Sequence, residues 1–182
     1  MATTSTRPLL LGEWACLGIL AEEPAHGYTL ARRLAPDGDV GRIWSVSRAL
    51  TYRAAGHLIE RGYARELRAE PGIAGGMRTP LAPTAKGRKV LAAWLLEPVT
   101  HLRDVRTELL LKLQLCRNLG VDPGPLLDAQ RRHFAPVAAS LRSAGAGEPG
   151  SDPVTAWRHE YSTAAMRFLD RVATANASTA RS

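Results

Sequence analysis

The chain has 182 residues, of which 45% are apolar and 23% charged, a composition that supports a packed core and excludes wholesale disorder. Its net charge of +7 admits a polyanion as partner. No run approaches the roughly 18 apolar residues of a membrane span, and the first ten residues lack the basic and apolar regions of a secretory leader, so a cytoplasmic protein without a membrane partner is expected.

The charge is unevenly placed. Between residues 40 and 90 stand Arg42, Arg48, Arg53, Arg61, Arg65, Arg68, Arg78, Lys86, Arg88 and Lys89 against only Glu60, Glu66 and Glu70, while the rest of the chain is balanced. Such a concentration is the expected footprint of a polyanion-binding element. Cys16 and Cys116 lie near leucines at helical spacing and read as buried thiols in a reducing compartment.

In chain order, Leu10, Trp14, Leu17, Ile19 and Leu20 predict a first helix over 9–20, closed by Pro24. His26-Gly27-Tyr28 opens a second, short helix in which Leu30 and Leu34 are i, i+4 partners, ended by Pro36-Asp37-Gly38. Ser45 and Ser47 can each cap a third helix, stopped by Gly62. Its inward face is expected to carry Leu50, Ala54 and Leu58, and its outward face Arg48, Thr51, Tyr52, Ala55 and Ile59. A strand over 63–68, a tip rich in Pro and Gly (Pro71-Gly72, Gly75-Gly76) and a returning strand over 77–81 follow. Together these elements predict a winged helix-turn-helix whose third helix reads the major groove of double-stranded DNA.

Thr84 can cap a fourth helix over 85–97 with Val90, Leu91, Trp94 and Leu95 inward. Beyond it the pattern is helical throughout. Leu102, Val105, Leu109, Leu113 and Cys116 form one stripe, with Leu110, Leu111 and Leu115 adding a second apolar face. Another helix runs from 126 to about 141, where Pro136 should kink or interrupt it. Residues 143–150 read as a mobile connection. The last helix is capped by Asp152 with Pro153 in its first turn, and Val154, Trp157, Tyr161, Ala164, Phe168 and Val172 form a heptad-like seam before a frayed tail from Thr174. The expected fold is therefore mostly α with a small β wing. A DNA-binding domain at 1–98 precedes antiparallel helices at 99–182.

For the reading head, Arg48 can pair bidentately with guanine and Tyr52 can reach a phosphate or a thymine methyl, with Thr51 and Ser47 beside them. Arg53 serves either a phosphate or an internal ion pair. Arg65, Arg68 and Arg78 on the wing either touch the DNA backbone or minor groove or are simply solvated. Tyr28 either packs in the core with a polar tip or gives its hydroxyl to a phosphate. The histidines His26, His57, His101, His133 and His159 show no metal-ligand spacing, so no metal site is expected. No nucleophile elbow, phosphate loop or dinucleotide turn is present, so neither an enzyme nor a cofactor is expected.

The segments LGILAEEPAHGYTLARRL (17–34), GRIWSVSRALTYRAAGHLIERGYA (41–64), TAKGR (84–88) and EPVTHLRDVRTELLLKL (97–113) resemble the PadR family of transcriptional regulators over most of the chain. The resemblance implies a homodimer that reads a palindromic operator, with C-terminal helices crossing between subunits. It also implies a repressor relieved by a small molecule or another signal, whose ligand lies near the dimer interface where Trp94 or Trp157 would line the space. Three departures stand out: Pro80 and Pro83 in the second wing strand, the small Ala55 and Gly56 in the third helix, and the long connection after 143. The rival readings are a protein-interaction winged helix without specific DNA readout and a small-molecule-binding or enzymatic helical dimer.

Overall fold

A computed structural model describes residues 7–71, 77–143, 150 and 152–179, arranged in two units, Met1–Trp94 and Leu95–Ser182. The expected tip glycines Gly72, Gly75 and Gly76 and most of the 143–150 connection lie outside the described residues.

In the first unit, α1 (Leu11–Glu22) starts where the Glu13 carboxylate reaches back to accept the Leu10 backbone N–H at 2.8 Å, supplying one orphan donor of the first turn with a partner. Leu10 itself is half exposed, while Ala15 to Leu17, Ile19 and Leu20 are buried on every side of the helix. The short α2 (Gly27–Arg33) contributes Leu30 and Leu34 to the same core. Ser47 caps α3 (Arg48–Glu60), its hydroxyl accepting from Leu50 N at 3.4 Å. The helix stops at Gly62, whose φ of +68° is a left-handed conformation that only glycine adopts without strain.

The hairpin that follows is broken in two. Strand β1 (Ala64–Glu66) pairs antiparallel with β4 (Leu81–Pro83), and β2 (Glu70–Pro71) pairs with β3 (Met77–Arg78) further out. Prolines cannot donate to a ladder. Accordingly Pro80 lies in the gap between β3 and β4, accepting from Leu67 N at 2.8 Å, and Pro83 ends β4. The inner sheet gains a partner that the sequence reading lacked: Ala25 and Leu81 exchange backbone hydrogen bonds of 3.0 and 2.9 Å, tying the entrance of α2 to β4. Helix α4 (Ala85–Leu96) is capped by Thr84, whose Oγ1 accepts from Gly87 N at 3.1 Å, and buries Leu91, Trp94 and Leu95 as expected.

In the second unit the stripe from Leu102 is not one regular helix. A 3-10 turn (Leu102–Asp104) and a π turn (Val105–Leu109) precede α5 (Leu110–Leu119). Leu109, Leu111, Leu115 and Cys116 are all buried, so both apolar faces are covered. Burial pushes the Cys116 thiol up to about 11 and the Cys16 thiol up to about 12, so neither is a thiolate at neutral pH.

Helices α6 (Gly124–Ser143) and α7 (Pro153–Thr179) run antiparallel, with Arg131 paired to Asp170 at 2.8 Å and Asn176 donating to Asp122 at 2.8 Å. Pro136 does not interrupt α6. Both Pro136 and Arg132, whose carbonyl loses its helical donor, are exposed residues. Nor does α7 fray at Thr174; it continues to Thr179, with Thr174 Oγ1 donating to the Asp170 carbonyl at 2.9 Å. Asp152 caps α7 as expected, accepting from Val154 N and Thr155 N at 3.0 and 3.1 Å, and its hydrogen bonds with Thr155 hold its carboxyl below the usual value.

The core of this unit gathers Val99, Val105, Leu109, Leu126, Leu127, Phe134, Ala165 and Leu169. Inside it Gln130, fully buried, clamps one backbone residue from both sides: Val99 N donates to its Oε1 at 2.7 Å and its Nε2 donates to Val99 O at 3.0 Å. Gln130→Leu strands both backbone groups without a water to replace the amide, and should lower the unfolding free energy by about 2–4 kcal/mol. Urea titration of the two proteins checks this, and a loss under about 1 kcal/mol would mean that the clamp contributes little.

Candidate nucleic-acid interface

The setting of α3 about its own axis decides which side chains it can offer. Thr51, Ala54, Ala55 and Leu58 are its buried residues, and Arg48, Ala49, Leu50, Tyr52 and Arg53 are exposed. This corrects the expected faces at Leu50, Thr51 and Ala55. Thr51 has no exposed surface, and its Oγ1 donates to the Ser47 carbonyl at 3.1 Å, so the hydroxyl is satisfied inside the helix and the residue is withdrawn as a side-chain contact to a base. Leu50 is instead 50% exposed.

A buried side chain of α1 holds α3 in that setting. Glu13 of α1, 1% exposed, receives His57 Nδ1 at 3.0 Å, Arg61 at 3.6 Å and Arg7 at 3.4 Å in addition to the Leu10 N–H. Arg61 also donates to the Arg7 carbonyl at 2.7 Å and lies over the Tyr63 ring at 5.1 Å, so this cation belongs to the interior network and not to the free positive face. Tyr52 stands on the outer face of the helix. Its ring lies against the start of α2, where a Cβ built on Gly27 would come within 2.6 Å of Tyr52 Cε1, and the Arg48 guanidinium stands 5.6 Å from the ring centroid.

The remaining expected residues fall as follows. Ser47 is at the N-cap of α3, exposed beside Arg48, and Arg53 is exposed on the outer face and not turned inward. Tyr28, expected either in the core or against a phosphate, is 56% exposed at the start of α2 and so is not a core residue. Arg65 on β1, Arg68 just after it and Arg78 on β3 are exposed along the hairpin. Opposite Arg78 in register is Glu70, whose carboxylate also meets His26 Nε2 at 3.0 Å, linking the outer hairpin to the entrance of α2. Sequence reasoning passed over Trp44, 39% exposed in the turn before α3, with its ring 3.9 Å from where a Cβ on Gly12 would stand. Its position next to the N-cap serines was the available signal.

Of the two tryptophans considered for a ligand, Trp94 is buried and stacked on Trp14, with centroids 4.6 Å apart and planes 6° from parallel, so a face of its ring is already covered. Trp157 of the second unit is 66% exposed, stacks on Tyr161 at 5.6 Å, and borders a cavity of about 360 Å³ with His101, Arg103, Phe134 and Arg158.

Since a buried carboxylate stripped of partners, or partners stripped of it, is among the more damaging single changes, Glu13→Ala should destabilise the protein by about 3 kcal/mol. The expected signature in chemical denaturation is a lower midpoint with an unchanged slope. An unchanged midpoint would show that α3 is held by apolar packing alone.

No protein-family profile matches the chain, and no curated protein matches it. Among solved structures it is similar to Bacillus subtilis PadR in complex with operator DNA, at 18% identity and a TM-score of 0.48, covering 94% of this chain and 99% of that one. The same protein in complex with p-coumaric acid matches at 16% identity and a TM-score of 0.44, covering 92% and 99%. The Vibrio cholerae virulence activator AphA matches at 18% identity and a TM-score of 0.38, covering 93% and 95%. The winged helix-turn-helix is assigned on this chain's own three helices and hairpin.

Proposed function

We propose that this protein is a sequence-specific DNA-binding transcriptional regulator of the PadR type, whose α3 enters the major groove of double-stranded operator DNA. The observation that carries the reading is the exposed stripe of Arg48, Tyr52 and Arg53 on the N-terminal half of α3, flanked by the exposed cations Arg65, Arg68 and Arg78 of the hairpin. Arg48 and Tyr52 supply discrimination. Arg53, Ser47, Tyr28 and the hairpin arginines supply backbone contacts that fix register without reading sequence.

The first domain, residues 1–98, is on this reading the DNA-binding part, and residues 99–182 the dimerisation and effector-response part. The protein works in the cytoplasm as a homodimer on a palindromic site, with its two recognition helices about 34–36 Å apart. What favours a homodimer is the N-terminal end of α7, where Val154 and Trp157 are 67% and 66% exposed. The role is that of a repressor, released when a small molecule changes the spacing of the two reading heads.

A salt-series binding assay on the upstream DNA of its own gene and a scrambled control tests the core of this. Wild type should prefer the upstream DNA, and Arg48→Ala and Tyr52→Ala should each lose about tenfold or more of that preference, within the 1–3 kcal/mol of a good base contact. Equal, weak binding to both DNAs would sink the reading in favour of a protein-interaction winged helix.

For the effector, the cavity beside Trp157 is the candidate seat, its aromatic rings and cations suiting a small aromatic anion. A compound entering it should quench tryptophan fluorescence in wild type and not in Trp157→Leu, and p-coumaric acid is a concrete first probe. Quenching that survives the substitution would remove this cavity from the proposal.

A further inference from the structure

Gly27 has no backbone reason to be a glycine. It is the first residue of α2, its φ is not positive, and a helix prefers alanine at such a position. What a side chain at this position would meet is a ring: its Cβ would lie 2.6 Å from Tyr52 Cε1, closer than such atoms approach, and a tight 3.2 Å from Cδ1 and Cζ, so the ring must shift. Tyr52 is 44% exposed, so the ring can swing toward solvent at little cost to the fold. Its present place, 5.6 Å from the Arg48 guanidinium, is the one such a swing would give up.

From this we infer that Gly27 is a positioning residue for DNA readout: the absence of its side chain is the seat of the Tyr52 ring, and the seated ring in turn orients the Arg48 guanidinium. The inference rests on the proposed reading of α3 as the recognition helix. It assigns part of the sequence preference to a residue on α2 that carries no functional group of its own. The coupling is steric at the first step and cation–π at the second. A displaced ring leaves the arginine free to sample rotamers, and a bidentate contact to one base depends on a fixed guanidinium plane.

The test compares wild type, Gly27→Ala, Tyr52→Ala and the double variant for binding to upstream and scrambled DNA, together with their Tm values. Gly27→Ala should keep a Tm at or above that of wild type and an unchanged salt dependence, yet lose about tenfold in preference for upstream DNA. In the Tyr52→Ala background the same substitution should have no further effect, because the ring it displaces is gone. Wild-type preference retained by Gly27→Ala would overturn the inference while leaving the proposed function standing. So would a loss as large in the Tyr52→Ala background as in wild type. A wild-type protein with no preference between the two DNAs would overturn both.

Discussion

The buried carboxylate of Glu13 is the constraint on which the first unit turns. It sits in the first turn of α1, and its partners among the described residues lie either at the chain's entrance to that helix or on α3 and its C-cap: Arg7, the Leu10 N–H, His57 and Arg61. A carboxyl group that is 1% exposed is costly to bury unless cations and N–H donors converge on it. The C-terminal half of α3 therefore has one acceptable rotation against α1, the one that brings His57 and Arg61 to that carboxylate. Because a helix turns as a rigid body, the same rotation sends Arg48, Ala49, Tyr52 and Arg53 outward at the other end. The composition of the exposed face is thus set two turns away from it.

That coupling also explains what the sequence disclosed and what it withheld. The Ser47, Thr84 and Asp152 caps and the Gly62 stop were legible, because caps and stops are local chemistry written in one or two residues. The rotation of α3 was not. Leu50 and Thr51 are adjacent, and hydrophobicity alone turns Leu50 inward, but burying Thr51 costs little once its hydroxyl is bonded to Ser47 O at 3.1 Å. An inward face of Thr51, Ala54, Ala55 and Leu58 is narrow and small, and so lets α1 and α3 approach closely. Glu13 was invisible for the complementary reason: a lone acid in an apolar helix gives no sign of partners that lie 44 or more residues away. Arg48 and Tyr52 could be named from sequence because they needed only to be polar and near an N-cap. Gly27 could not, since its contribution is an empty volume that only the folded chain defines.

Helix α7 carries the same lesson in its apolar pattern. The heptad-like seam read from the sequence is real as a pattern, but it does not serve one surface along its whole length. Ser162, Ala165 and Leu169 form the buried line of the helix, one step around from the seam, while Phe168 and Val172 of the seam are only partly buried against the core of the second unit. Toward the N-terminal end, Val154 and Trp157 meet no such cover. A 27-residue helix is long enough to present different faces at its two ends, and a periodicity count averages over both.

The uncovered end has an energetic consequence. A tryptophan that is 66% exposed leaves on the order of 150 Å² of largely apolar surface in water, which is worth about 3–4 kcal/mol if covered. Tyr161 stacks on one side of the ring. For the proposed regulator this surface and the cavity beside it are contiguous through the same indole. A partner helix that covers Trp157 and a ligand that enters next to it would therefore compete for, or share, one side chain. Coupling between dimer geometry and ligand then needs no long pathway through the fold: the two events would meet at a single ring, and the ligand could shift the dimer by no more than its difference in affinity for the covered and uncovered states of that ring.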